Sequence, residues 1–356
     1  MEFGIMFFAS QVDSSETEPY YLAIEAAKFA DRHHFCAIWT PERHFDGFGS
    51  IFPNPSILSA ALAMITSNIQ LRSGSLISPL HDTVRIAEEW AVVDNLSHGR
   101  AAISFGSGWN VNDFIFFPER YTDRKKIMYA QIEVIQTLWQ GGRIKRKNSF
   151  GKDVEIALHP RPFQPVLPIW ITSSGSVDTF VQAGNMGANV LTHLIGQDID
   201  TLAEKIRCYR DSYKSRHPHL QRGKVALMLH TFLGTDPEVV KETVGKPFRE
   251  YLRSAVVLEN KAAQGGGTIS GGHKIPLQEI PMDIMEELLD VTFERYYHQA
   301  ALIGTLDTCK KLVQRLEVIG VDEIACLIDF GVSEKEVLMS LDYLNDLREA
   351  FVDTAS

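Results

Sequence analysis

Cys36-Ala37-Ile38-Trp39-Thr40-Pro41-Glu42-Arg43-His44-Phe45 is the stretch on which the reading of this chain turns. Four apolar residues follow a helical pattern, so the sequence predicts a short buried strand over Cys36–Trp39. Pro41 has no N–H to give to a neighbouring strand, so pairing stops there. Glu42, Arg43 and His44 then emerge at the carboxyl end of a buried strand, where α/β folds place ligands and chemistry. Histidine titrates near neutral pH and suits proton transfer. The same three residues also suit a solvated loop with a local ion pair, and the rest of the chain has to decide between the two.

Outward from this stretch, apolar runs and helical patterns alternate. The expected strands are Phe3–Ala9, Cys36–Trp39, Ile69–Ile77, Ala101–Phe105, Leu167–Thr172, Ala188–Thr192, Lys224–Leu233 and Glu323–Ile328. Helices are expected between them, among them Ser56–Thr66, Thr83–Leu96, Arg124–Trp139, Ile199–Ser215 and Thr308–Ile319, and a last one over Glu334–Phe351. Strict alternation implies parallel strands with right-handed crossovers, and a count of eight favours a closed (β/α)8 TIM barrel. Phe150–Pro165 reads as a strand pair or an irregular excursion. Residues 237–297 break the rhythm. They read as a helical, glycine-rich insertion between the seventh and eighth strands of a single domain, with Gly265-Gly266-Gly267 and Gly271-Gly272 at its tip. Such a segment suits either a lid or a plain surface loop.

Composition narrows the function. The chain has 356 residues, of which 45% are hydrophobic and 22% charged, an ordinary globular balance. A formal net charge of -10 argues against non-specific nucleic-acid binding and against anionic membranes. The one basic patch, Arg143, Lys145, Arg146 and Lys147, reads as a solvated loop. Cys36, Cys208, Cys309 and Cys326 have neither zinc-ligand nor redox spacing, and reduced thiols suit the cytoplasm. No signal-like stretch opens the sequence, and no apolar run reaches the length of a membrane span.

In a barrel, all eight strand ends meet on one face. Phe7 and Phe8, His44, Ser73–Ser75, Ser107 and Trp109, Ser173–Ser176, Thr192 and His193, and His230 would surround one mouth. Thr172-Ser173-Ser174-Gly175-Ser176 puts small residues between a strand and a helix. The helix amides and dipole are left open to an anion such as a phosphate, though a simple N-cap by Ser174 or Ser176 fits too. Gly106-Ser107-Gly108-Trp109-Asn110 lets backbone approach a ligand closely beside a flat apolar wall, or forms a tight turn on a buried tryptophan. No metal-ligand spacing, Gly-x-Gly-x-x-Gly fingerprint, Walker loop or Gly-x-Ser-x-Gly elbow occurs.

The chain resembles the bacterial luciferase-like flavin monooxygenases. The similarity is strongest to the subgroup that accompanies polyketide and nonribosomal peptide assembly lines. The resemblance is carried by Phe3–Phe8, Trp39–Phe45, Asn54-Pro55, Arg72–Ser75, Arg85–Arg100, Phe105–Asn110, Pro168–Thr172 and Leu191–Gln197, in family order. It implies a TIM-like barrel that takes reduced FMN as a dissociable substrate and reacts it with O2. A flavin C4a-hydroperoxide then oxygenates an organic substrate, either a small molecule or one tethered to a carrier protein. His44, with Glu42 beside it, matches the catalytic base. Ser73, Gly74 and Ser75 match the strand end against the flavin ring, where a cis peptide is expected. Ser173, Ser174, Gly175 and Ser176 match the phosphate site, with Ser107, Trp109 and Thr192 also on the cofactor. Phe7, Phe8, His193 and His230 are left for the substrate, and Phe114 and Phe116 join the apolar mouth. Ser107 stands where luciferase has a phosphate-binding arginine, so another base has to neutralise the phosphate. A separate NAD(P)H:flavin reductase and a homodimer are implied by the same analogy. The alternatives on this fold are a deazaflavin-dependent hydride-transfer reductase and a non-catalytic flavin-binding protein.

Overall fold

The structure is a computed structural model, and it describes residues 1–8, 18–49, 51–173, 175–264 and 282–352. In chain order the elements begin with β1 (Glu2–Met6), α1 (Tyr21–Arg32), β2 (Ala37–Thr40), α2 (Pro55–Ala63), β3 (Gln70–Ile77), α3 (Thr83–Leu96) and β4 (Ala101–Gly106). They continue with α4 (Arg124–Trp139), β5 (Ile144–Lys147), β6 (Asp153–Ile156), β7 (Ile169–Ser173), α5 (Val177–Asn185), β8 (Asn189–His193) and α6 (Ile199–Arg216). The chain closes with β9 (Val225–Leu233), α7 (Pro237–Gln264), α8 (Met282–Arg295), β10 (Leu302–Gly304), α9 (Leu306–Val318), β11 (Glu323–Leu327) and α10 (Glu334–Val352).

Eight parallel strands close on themselves in the order β9-β11-β1-β2-β3-β4-β7-β8, with β8 pairing back to β9. This is the (β/α)8 TIM barrel. It forms because these strands are apolar on both sides: β2, β4, β9 and β11 are buried at every residue. One side of each strand fills the barrel and the other meets the helices. Caps set where helices begin. Asn54 Oδ1 accepts the Ser56 and Ile57 amides at 2.8 and 3.2 Å, and Pro55 occupies the first helical position of α2.

Inside the lower half of the barrel lies a polar layer. Arg72 Nη1 donates to Glu323 Oε2 at 2.7 Å, and Trp39 Nε1 donates to Glu323 Oε1 at 2.9 Å. The guanidinium sits 4.7 Å from the Trp39 ring and 4.6 Å from the Trp170 ring. Gly4 makes the room, since a Cβ there would stand 2.9 Å from Glu323 Oε1.

The structure corrects several expectations. β1 ends at Met6, not Ala9. The Phe7 amide still donates to Trp39 O at 3.1 Å, but the Phe8 amide leaves the ladder for the Asp329 carboxylate, at 2.9 and 3.0 Å. The strand pair lies earlier than Phe150–Pro165: β5 and β6 form an antiparallel hairpin outside the barrel. The basic residues are therefore on and beside a strand and not in a loop, with Arg143 facing Glu155 at 3.7 Å, Arg146 facing Asp82 at 3.5 Å and Lys147 facing Asp153 at 3.5 Å. A ninth parallel strand, β10, extends the upper half of β9. Helices α7 and α8 occupy the stretch between β9 and β10, and the glycine-rich tip expected there lies outside the described residues. No helix among the described residues is long and apolar enough to cross a membrane.

Candidate active site

The carboxyl ends of the strands surround a cavity of about 640 Å³. Barrel residues form one wall: Phe8, Glu42–His44, Gly74, Ser75, Gly106–Asn110, Thr172, Thr192, His193 and His230. Tyr251, Leu252, Ala255 and Glu259 of α7, with Thr292 and Arg295 of α8, form the other. A second hollow of about 790 Å³ adjoins it at Gly196 and Arg295 and faces the start of α6. The first holds the convergent ionisable groups, so we take it as the site.

Glu42 is the hub of that wall. Its side chain is fully buried, and its Oε2 accepts the Ile77 amide at 2.6 Å. Its Oε1 lies 3.0 Å from His44 Nε2 and 2.5 Å from His81 Nε2. Burial pushes the carboxyl up, but the bonds from His44, His81 and the Ile77 amide outweigh it and hold it below the usual carboxylate range. Glu42 is therefore an anion that orients two imidazoles. Burial pulls His81 down, but the Glu42 carboxylate more than reverses this and leaves it raised.

Asp113 faces the same space from the loop after β4, with Asn110 Nδ2 donating to its Oδ1 at 2.8 Å. Burial raises its pKa from 3.8 to about 6, against the pull of His44 and Arg43. The folded state thus holds this proton more tightly than the unfolded chain. Its contribution to stability falls as pH rises from 3.8 through about 6. We expect Asp113→Asn to flatten that part of the stability–pH curve in urea titrations. We also expect it to remove an inflection near pH 6 from kcat/KM. His193 and His230 behave in the opposite way. Burial, with Lys205 nearby, lowers His193 to about 4, and burial, with His193 nearby, lowers His230 to about 3. Both are neutral donors or acceptors at pH 7. The rings of Phe248, Tyr251, Tyr296 and Phe330 crowd His230 at 4.7 to 5.7 Å, and its Nε2 is buried without a partner.

The floor of the cavity is nearly bare backbone. The Gly74–Ser75 peptide is cis, and the β3–β4 register shifts between Gly74 and Leu76. A Cβ on Gly74 would meet Trp39 Cβ at 3.0 Å, and one on Gly106 would meet Ser75 Oγ at 2.8 Å. Gly108 has φ +80°, which favours glycine, and its carbonyl accepts from Arg124 Nε at 2.8 Å. Trp109 is 40% exposed, so it can present a flat face to a ligand.

Some expected residues lie elsewhere. Phe7 is in the core against Phe52, with ring centroids 6.0 Å apart, because β1 ends before it and turns it inward. Ser73 is buried between strands, where its hydroxyl donates to Ser104 O at 3.1 Å and accepts the Ser104 amide at 2.9 Å. Phe114 packs with Ile77 and Leu80 beneath the mouth, while Phe116 is half exposed and lies edge-on to His44 at 5.5 Å. Ser107 and Thr192 line the cavity. Ser173 ends β7, and Gly175 and Ser176 lead into α5; none of the three lines the cavity, which Thr172 does, and Ser174 lies outside the described residues. His81, Arg124, Asp113 and Tyr251 were not anticipated at the site. His81 follows the end of β3 as His44 follows β2, so the strand-end pattern was available for it. Tyr251 carried no sequence signal, since a distant helix brings it in.

The description "Luciferase-like monooxygenase" belongs to a family model that matches residues 1–323. The chain belongs to the luciferase-like monooxygenase family. Among the curated relatives of this luciferase-like chain is the oxygenase component of the flavin-dependent trigonelline monooxygenase of Acinetobacter baylyi. It is 25% identical, over 99% of this chain and 96% of that protein. Of solved structures, monooxygenase RslO1 from Streptomyces bottropensis superposes with a TM-score of 0.78 at 19% identity, covering 97% of this chain and 98% of that one. The oxygenating constituent of 3,6-diketocamphane monooxygenase from Pseudomonas putida, in complex with FMN, gives 0.73 at 16% identity, over 97% and 96%. At such identities the two structures establish the luciferase-like fold alone.

Proposed function

We propose that this protein is the oxygenase of a two-component flavin monooxygenase system, binding reduced FMN and O2 and oxygenating an organic substrate. The observation that carries this is the pairing, in one cavity, of a nearly bare backbone floor at Gly74, Ser75 and Gly106 with a His44 held by the buried Glu42. A flat ring fits the floor formed by Gly74, Ser75 and Gly106, because no side chain larger than serine rises from it. When bound, the flavin supplies the two electrons and the site of reaction with O2. The protein positions the ring, excludes water and moves protons. Glu42 engages His44 Nε2, so exchange of a proton with the bound reactants falls to Nδ1. Trp109, Phe8 and the α7–α8 wall cover the cavity, and that wall serves as its lid.

Arg124, tethered to the Gly108 and Tyr121 carbonyls at 2.8 Å each, brings positive charge to the Ser107 turn. The relative described as an oxygenase component supports a separate reductase as the electron source. Free thiols at all four cysteines fit a cytoplasmic home. A substrate tethered to a carrier protein and a homodimer are the narrower parts of this reading, and both rest on the sequence resemblance.

The test is to mix photoreduced FMN, bound to the protein under anaerobic conditions, with oxygenated buffer and follow flavin absorbance. The expected result is a long-lived oxygenated flavin adduct and a return to oxidised FMN much slower than in buffer alone. Identical kinetics with and without protein, together with tight binding of a reduced deazaflavin, would replace this reading by the hydride-transfer one.

A further inference from the structure

Among the described residues, three cations line the cavity: Arg43, Arg124 and Arg295. Arg124 gives Nε and Nη1 to the Gly108 and Tyr121 carbonyls, at 2.8 Å each. Arg295 is exposed, so water solvates it, and it also donates to Leu194 O at 3.4 Å. Arg43 has neither recourse. Its guanidinium makes no hydrogen bond to a described residue, and its Nη2 is sealed from water with no partner. A buried donor without an acceptor is costly, and a charged one more so. No carboxylate among the described residues lies within ion-pair distance of it. Asp113, Asp46 and Asp329 attract it from further off, and each accepts a hydrogen bond elsewhere. Asn110 Nδ2 donates to Asp113 at 2.8 Å, the Phe48 amide to Asp46 at 3.1 Å, and the Phe8 amide to Asp329 at 2.9 and 3.0 Å.

The fold nevertheless fixes Arg43 in place. Its amide donates to Phe52 O at 2.9 Å. Its stem passes Gly49, where φ is +87° and a Cβ would stand 3.0 Å from Arg43 Cγ. The guanidinium lies 4.5 Å from the centre of the Phe8 ring and 5.2 Å from that of Phe48. These rings offset part of the desolvation cost but offer no acceptor. Nε and Nη1 are not sealed as Nη2 is, so the fork stays open on the cavity that Arg43 lines. A planar, preorganised set of N–H donors matches a carboxylate, which accepts two parallel bonds from it. The walls beside it are flat and apolar: Phe8, Phe48 and Tyr251 all line the cavity, and the last two rings are 5.1 Å apart. Arg43 follows β2 and Phe8 follows β1, whereas the bare floor lies at the ends of β3 and β4, so the cation occupies the neighbouring arc of the mouth.

We infer that Arg43 receives the carboxylate of the substrate, and that the substrate is a small aromatic or heteroaromatic acid. Calling this ligand the substrate rests on the flavin reading above; the anion site itself does not. The size follows from the cavity, whose roughly 640 Å³ must hold the flavin ring as well. With the acid group held beside β2, the ring of the substrate is the part left to extend toward the β3–β4 floor. A thioester carries no such charge, so this carboxylate is free, and any tether to a carrier runs from elsewhere on the molecule.

The experiment is calorimetric titration of the full chain at neutral pH, without flavin, with benzoate and with benzamide, which share ring and size and differ in charge. It is run on wild type, R43M and R43K. Wild type should bind benzoate at least about 10-fold more tightly than benzamide. R43M should lose about 10- to 100-fold for benzoate, the effect of a charge-assisted hydrogen bond, with benzamide changed by less than about twofold. R43K should recover only part of the loss, since an ammonium keeps the charge but not the fork, and its binding also guards against a folding defect in R43M. FMN affinity, measured separately, should stay within about twofold in R43M. A wild type that binds neither probe, or both equally, overturns the inference, as do equal losses of both probes in R43M. A loss confined to FMN assigns the cation to the flavin and overturns it too. The flavin reading is decided apart from these titrations, by the adduct experiment above. If that experiment fails while benzoate binds through Arg43, the anion site stands and its ligand is no longer the substrate of an oxygenase.

Discussion

His44→Ala is expected to lower substrate turnover by about 10²- to 10⁴-fold while reduced FMN still binds within about twofold of wild type. The size is that of general acid–base catalysis, the role proposed for this imidazole. The side chain is 8% exposed, its Nε2 is 3.0 Å from Glu42, and it lines the same cavity as the Gly74–Ser75 floor. Removing it leaves the floor and the Ser173–Ser176 turn untouched, so binding survives. Rapid-quench turnover, with flavin affinity measured in parallel, checks both halves. Glu42→Gln should reproduce part of the loss, because the amide cannot hold the imidazole as a carboxylate does. A non-catalytic flavin carrier would have no turnover for either substitution to remove. If His44→Ala released the flavin and slowed turnover only as far as occupancy fell, the residue would be a wall of the pocket and not its base.

The second large effect is on stability. Glu323→Ala should cost about 3–5 kcal/mol, because it strands the Arg72 guanidinium inside the barrel. Both side chains are almost wholly buried, at 3% and 0% exposed. The Trp39 indole N–H loses its acceptor in the same substitution. The urea midpoint should fall with the slope of the transition unchanged. The double substitution Arg72→Met with Glu323→Leu should recover most of the loss, since an apolar pair of similar volume avoids the desolvation cost altogether. If the single variant lost less than about 1 kcal/mol, water would have to reach the guanidinium, contrary to its burial.

Most of the barrel was legible because its strands carry their own boundaries. Ala37–Thr40 stops at Pro41, Ala101–Gly106 runs out at a glycine turn, and Ile169–Ser173 follows Pro168. The failures have physical causes too. Ile144-Lys145-Arg146-Lys147 has no apolar alternation, because the hairpin lies outside the barrel and is held by cross-strand charge, so its period carries no signal. Leu302–Gly304 is three residues long, too short for any pattern. At the site, the resemblance pointed to a cis bond within Ser73–Ser75, and the structure has it at Gly74–Ser75. The Glu42 hub was half visible. His44 is two residues away in sequence, whereas His81 arrives through the fold. Asp113 takes its proton affinity from burial, which no spacing reports.

The two walls of the cavity come from different parts of the chain. The wall with the cis peptide, His44 and the turns is made of barrel strands scattered from β1 to β9. The facing wall, from Tyr251 to Tyr296, comes from one continuous stretch between β9 and β10. A continuous stretch can be exchanged by a single genetic crossover, whereas the scattered wall cannot. The two walls are therefore free to diverge at different rates. On the proposed function, replacing residues 237–297 by those of a relative is the expected route to a changed substrate, with the barrel wall kept as it is.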